Sequence, residues 1–185
     1  MEHTAPALPR PTTTIRHDTP IGTLTLAATE LGLVSSSFTP PDKISTRLSI
    51  RAITGTDSPA AQTWLDQTRT ELDQYFAGNL RAFTVPVDLQ LAGTLDRSLL
   101  AVLAQVPYGA TTSYGRLGAR LGLPPEDIRK VGQAMARNPV LILLPCHRVL
   151  GADGTLVGYA AGLPAKRRLL DLESNQSQLD LNLTA

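Results

Sequence analysis

Cysteine is almost missing from this chain of 185 residues; there is one, Cys146. A single thiol excludes an internal disulfide and suits a reducing compartment. Histidine is nearly as scarce, with only His3, His17 and His147. These four residues have no zinc-ligand spacing, so neither a metal site nor a cofactor is expected. Long apolar runs are missing as well. No stretch approaches the roughly 18 apolar residues that cross a bilayer, so no membrane span is expected. The opening MEHTAPALPRPTTT has no basic start followed by an apolar run. That pattern excludes a secretory signal and leaves the cytoplasm as the expected location. Aromatic residues are few at 4% and charged residues modest at 18%, whereas 42% hydrophobic residues suffice for a core.

The net charge of +1 is unevenly spread. Residues 94–173 hold ten Lys and Arg against six Asp and Glu, a net of +4, and residues 1–93 hold seven against nine, a net of −2. A polyanion would bind the second half, although on charge alone an ordinary solvated surface fits equally well.

The patterning predicts an α+β protein of four parts. Residues 1–19, with three prolines, read as a flexible arm. Residues 20–90 read as a small α/β support unit. Alternation in GTLTLAATELGLVSSSF predicts a hairpin, Thr23–Ala28 with Leu33–Phe38. A polar stretch, 39–57, precedes a helix opened by Pro59 and stopped by Gly78, on which Trp64, Leu65, Leu72, Tyr75 and Phe76 recur at helical spacing. Ala82–Leu89 reads as a short extended piece. Residues 91–173 read as a mostly helical unit and 174–185 as a polar tail. In the helical unit, Ser113 caps a short helix that Gly122 ends, and Pro124–Pro125 opens a second one closed by Asn138–Pro139. Two short helices so joined have the grammar of a helix-turn-helix, which by itself is a weak sign of DNA binding. The uncharged run Val140–Leu144 then delivers the chain to Pro145–Cys146–His147–Arg148, and a final basic helix is expected at Ala165–Leu172.

Alone, Cys146 fits an inert buried thiol. The imidazole and guanidinium that follow it both favour the thiolate, which is the reactive form. In an extended chain His147 would point away from the sulfur, so a turn or an intervening water is required. The second ring nitrogen of His147 then needs an acceptor, and Asp171 and Glu173 are both candidates.

From Tyr108 to Glu173 the sequence resembles the O6-alkylguanine-DNA alkyltransferases, the methylated-DNA–protein-cysteine methyltransferases. The resemblance is carried by Pro145–Cys146–His147–Arg148–Val149, Tyr108–Gly109, Ser113–Tyr114, Arg129 with Val131–Gly132, Asn138–Pro139, Gly158–Tyr159, and Leu163, Lys166 and Leu169–Leu170. Pro20–Ile21–Gly22–Thr23–Leu24 resembles bacterial members more loosely. It implies a ribonuclease H-like N-terminal unit and a winged-helix-like C-terminal one. It also implies a monomer acting on double-stranded DNA from the minor groove, with irreversible transfer of an alkyl group from O6-alkylguanine to Cys146.

Catalytic roles are implied for Cys146, His147, Glu173, Tyr114 and Asn138. Glu173, rather than Asp171, orients His147, and Asn138 holds the thiol turn. Tyr114 turns the 3′ phosphate and protonates the departing guanine. Arg129 fills the space of the flipped base, and Ser113, Gly132, Ala134 and Ala136 lie along the DNA. Tyr159, Ala160, Ala161, Val149, Met135, Pro145 and Arg148 surround the base pocket. Two alternatives stay open, a non-catalytic sensor of alkylguanine and a Cys–His thiol hydrolase. The chain departs from the family pattern at Leu95 and Leu100, expected as core replacements for aromatic residues. It departs again at Ala161, whose methyl group is expected to narrow the pocket against bulky adducts.

Overall fold

The computed structural model describes residues 12–40, 58–89 and 92–183. Most of the polar stretch and the first eleven residues of the expected arm lie outside these. The N-terminal unit is an antiparallel sheet in the order β1 (Thr13–Thr19), β2 (Gly22–Thr29), β3 (Gly32–Ser37), with helix α1 (Pro59–Phe76) packed against it. The expected hairpin is β2–β3, in which a bulge at Ala27/Ala28 shifts the register. The expected arm needs correction, because Thr13–Thr19 pairs along its whole length with β2, from Thr13 opposite Ala28 to Thr19 opposite Gly22. Its β-branched run Thr13–Thr14–Ile15 favours a pleated conformation.

Ser58 caps α1 by accepting from the Ala61 amide, and Pro59 occupies the first turn. Leu65, Leu72 and Tyr75 on one stripe are fully buried with Leu24, Leu26 and Leu33 of the sheet. The piece after α1 lies along β3, where the Leu33 amide donates to the Pro86 carbonyl (2.8 Å) and the Asp88 amide to the Leu33 carbonyl (2.9 Å). Gly32 is required at this crossing: its φ is +150°, and a Cβ would sit 2.3 Å from the Pro86 oxygen.

The C-terminal unit contains α2 (Thr94–Leu103), β4 (Thr112–Ser113), α3 (Tyr114–Arg120), α4 (Ile128–Ala136), β5 (Val149–Leu150) and α5 (Gly162–Leu183). The molecule is thus a mixed fold, a small N-terminal sheet followed by a helical domain. Leu100 is buried in the core, but Leu95, in the first turn of α2, is 37% exposed and is not the core replacement expected of it. Ser113 caps α3 through the Arg116 amide, and a 3-10 turn at Pro125–Asp127 leads into α4, so the second helix begins later than its prolines suggest. The expected tail also needs correction. α5 continues to Leu183, because the polar residues beyond Glu173 lack a proline or glycine to stop it.

The two units meet where the Ser36 amide donates to the Pro139 carbonyl and the Leu141 amide to the Ser36 carbonyl. No helix among the described residues is long and apolar enough to cross a membrane.

Candidate active site

The thiol sits on a turn shaped by Asn138. Its amide group donates to the Leu144 carbonyl (2.9 Å) and its amide oxygen accepts from the Val140 amide (3.0 Å), clamping the two ends of the run before the thiol. Inside this loop Ile142 takes φ +74°, a left-handed conformation that a β-branched residue adopts only when its surroundings impose it. Cys146–Arg148 then forms a single 3-10 turn, so the turn demanded for His147 is present. Cys146 is 6% exposed and reduced.

Glu173, on α5, is the hub of the site. Its Oε1 accepts from His147 Nε2 (2.8 Å), Tyr75 Oη (2.7 Å) and Arg148 Nη2 (2.9 Å). Its Oε2 accepts from Arg148 Nε (2.8 Å) and the Gly109 amide (3.1 Å). The choice left open between two carboxylates is therefore resolved, since Asp171 is exposed. Burial alone would raise the Glu173 pKa, but the donors from His147 and Arg148 outweigh it and hold the carboxylate at about 2. Burial pushes the His147 pKa below its usual value despite the carboxylate beside it. The ring is thus neutral at pH 7. With its Nε2 proton directed at Glu173, the lone pair is left on Nδ1, which is buried and has no protein partner among the described residues.

A cavity of about 650 Å³ opens over the thiol. Its walls bring together Tyr114, Met135, Cys146, Tyr159 and Ala160 with Gly132 and Ala136, two residues expected along the DNA instead of in the pocket. They also include Gly115, Ile128, Leu141, Ala152, Val157 and Gly158, which sequence reasoning missed. Ile128 and Val157 look like ordinary apolar residues in the chain, and only folding leaves them 38% and 43% exposed at this cavity. Burial raises the pKa of Tyr114 and of Tyr159, with the charge of Cys146 adding to it, so both phenols keep their protons.

Several expected site residues lie elsewhere. Ala134 is fully buried on the inner face of α4, two residues from Gly132 and from Ala136 and so on the opposite side of the helix, and does not line an outward surface. Arg148 and Pro145 border a second cavity, of about 290 Å³, instead of the one over the thiol. Arg148 turns inward because Glu173 and the Val106 carbonyl (2.6 Å) satisfy its guanidinium. Val149 is buried and presents its carbonyl to Lys166 (2.6 Å). Ala161 is half-buried beside the thiol cavity without lining it, so its methyl group does not narrow that space. Ser113 serves as the cap of α3, and Arg129 is exposed at the start of α4.

Two further residues escaped sequence reasoning as parts of the site. Tyr75 reads as one more core aromatic, although a buried phenol needs a partner for its hydroxyl. Lys166 is fully buried, and its ammonium donates to the carbonyls of Val149, Val157 (2.5 Å) and Gly158 (3.4 Å), tying the cavity's far wall to α5.

The chain is similar to known proteins along most of its length. The family model described as 6-O-methylguanine DNA methyltransferase, ribonuclease-like domain, matches residues 12–89, and its DNA binding domain counterpart matches residues 94–175. The methylated-DNA–protein-cysteine methyltransferase of Mycolicibacterium paratuberculosis is 37% identical over 172 residues, covering 90% of this chain and 94% of the relative. That of Mycobacterium tuberculosis H37Rv is 39% identical over 171 residues, with the same coverage. The crystal structure of Mycobacterium tuberculosis O6-methylguanine methyltransferase superposes with a TM-score of 0.72 at 34% identity, covering 94% of this chain and 99% of that one. The structure of Mycobacterium tuberculosis OGT in complex with DNA gives 0.68 at 36% identity over the same shares. From its first strand to the helix that carries Glu173, the chain belongs to the 6-O-methylguanine DNA methyltransferase family.

Proposed function

We propose that this chain repairs DNA directly, moving an alkyl group from O6-alkylguanine onto Cys146 once per molecule. The observation that carries this is a thiol at the base of an apolar cavity, with the neutral His147 braced by Glu173 behind it and the α3–α4 helix pair at the cavity's edge. The Cys146 proton passes through a water to Nδ1 of His147. The thiolate then attacks the saturated carbon on O6. A carbon–sulfur bond forms as the carbon–oxygen bond breaks, and the electron pair leaves with the guanine. The Tyr114 phenol, protonated at neutral pH, supplies the proton that the departing guanine needs. The thioether product has no carbonyl for water to attack, so the protein is consumed.

The base reaches the cavity by leaving the duplex. α4 faces the minor groove, where its outward small residues Gly132 and Ala136 permit close approach. Arg129 fills the vacated stack, and Tyr159 and Ala160 form walls for the base. Readout there is largely degenerate, as suits repair at any sequence. On this reading the N-terminal unit is ribonuclease H-like, the C-terminal unit is winged-helix-like, and the protein acts as a cytoplasmic monomer.

Intact-mass measurement after incubation with duplex DNA carrying O6-methylguanine tests the proposal. The expected result is a stable gain of one methyl group on Cys146, absent in Cys146→Ser. Turnover that exceeds one alkyl group per chain, with unmodified protein remaining, would sink it.

A further inference from the structure

Glu173 receives donors from four residues at three places in the chain, and one of them belongs to the other structural unit. Tyr75 lies 98 residues earlier, near the end of α1, and its hydroxyl meets Oε1 at 2.7 Å, the same oxygen that holds His147. The ring is fully buried and fixed by aromatic neighbours, with centroids 5.3 Å from Phe76, 5.4 Å from Phe83 and 6.0 Å from Tyr108. Packing alone would be served as well by phenylalanine. The hydroxyl adds one thing, a third donor on the oxygen that His147 uses.

We propose that Tyr75 is a positioning residue for the thiol chemistry, setting the basicity of His147 through the Glu173 oxygen that the two share. This inference rests on the role given above to Cys146, His147 and Glu173. A carboxylate oxygen that already accepts two other hydrogen bonds is a weaker acceptor for the imidazole, so it draws the ring less strongly toward the protonated form. The other ionisable groups around the pair are Arg148 on the thiol turn, Tyr108 ahead of β4, Tyr159 beyond β5, Lys166 on α5 and Cys146 itself. Arg148 and Lys166 oppose protonation of His147, and Tyr75 acts in the same direction while carrying no charge. A nucleophile used only once gains from such restraint, because a strongly basic His147 would release the thiolate to any passing electrophile. The N-terminal unit, through this one hydroxyl, is part of the active site rather than a support for it.

The test is the pH titration of the His147 ring by NMR, combined with the rate at which iodoacetamide alkylates Cys146 at pH 7. Both are measured on the full chain without DNA, so neither depends on alkylguanine being the substrate. In Tyr75→Phe the His147 midpoint should rise by on the order of one pH unit, and alkylation of Cys146 should become severalfold faster. Placing 3-fluorotyrosine at position 75 keeps the volume and strengthens the donor, so the midpoint should fall instead. That substitution also answers the case in which Tyr75→Phe folds poorly. Phe76→Leu, which disturbs the same packing but not the hydroxyl, should lower the melting temperature and leave the midpoint in place. A His147 midpoint that stays put in both Tyr75 variants overturns the proposal and leaves Tyr75 a core residue.

Discussion

At the scale of single residues, the site depends on one carboxylate. Glu173→Gln keeps the volume but removes the charge that the buried Arg148 guanidinium and the His147 ring both face. Breaking a buried pair from one side costs about 3–5 kcal/mol, so urea unfolding should show a loss of that order, together with slower methyl transfer. Ala161→Gly makes a contrasting case. Because Ala161 does not line the thiol cavity, the ratio of inactivation rates by O6-methylguanine and O6-benzylguanine should not change, and a clear shift toward benzyl would count against this assignment. Cys146, His147 and Glu173 were legible in the sequence because their chemistry is carried by residue type and by family spacing. Tyr75 and the Gly109 amide were not, since their partner is brought to them only by folding, across 98 and 64 positions. Ala134 was misplaced for a related reason. Small residues on a helix do not announce which of them faces outward, and on α4 the inner one packs in the core.

At the scale of elements, α4 carries a glycine, Gly132, in mid-helix at some cost to itself. A Cβ placed on Gly132 meets nothing within 4 Å. Gly132→Ala should therefore stabilise the helix by up to about 1 kcal/mol, seen as a higher melting temperature. The same methyl group should slow transfer from duplex DNA more than transfer from free O6-benzylguanine, and an equal effect on both substrates would count against the proposed DNA-facing role of α4. The β2–β3 hairpin and helices α1 to α4 could be read in advance because alternation, caps and breakers agree along them. β1 was hidden behind the proline-rich residues that precede it, and its pairing with β2 is a long-range choice. The far half of α5 carries no apolar stripe to reveal it, so its continuation follows from the absence of a stop signal.

For the whole molecule, the buried ionic cluster makes stability depend on pH. The folded Glu173 pKa of about 2 lies below the ordinary 4.5. Its contribution is fully present above pH 4.5 and is lost as pH falls from there toward 2, about 3 kcal/mol by linkage. His147 is likewise depressed, below 6.5, so its neutral folded form is favoured above that pH and opposed below it. Both effects have the same sign. The urea midpoint should hold near neutrality, decline below about pH 6.5 and drop steeply below pH 4.5. A midpoint flat from pH 7 to pH 3 would contradict this account. Because Tyr75, His147 and Arg148 converge on a single acceptor, both structural units should unfold in one transition by calorimetry.

The position of Glu173 also sets an order in time. A ribosome releases the sheet, α1 and the thiol turn before it releases this residue, and early segments begin to fold as they emerge. Until α5 follows, the guanidinium of Arg148 and the hydroxyl of Tyr75 lack the carboxylate that meets them in the finished protein. A chain broken off before residue 173 would have buried charge without compensation and would stay open to proteolysis. Synthesis thus arms the thiol last, when enough of the protein exists to aim it.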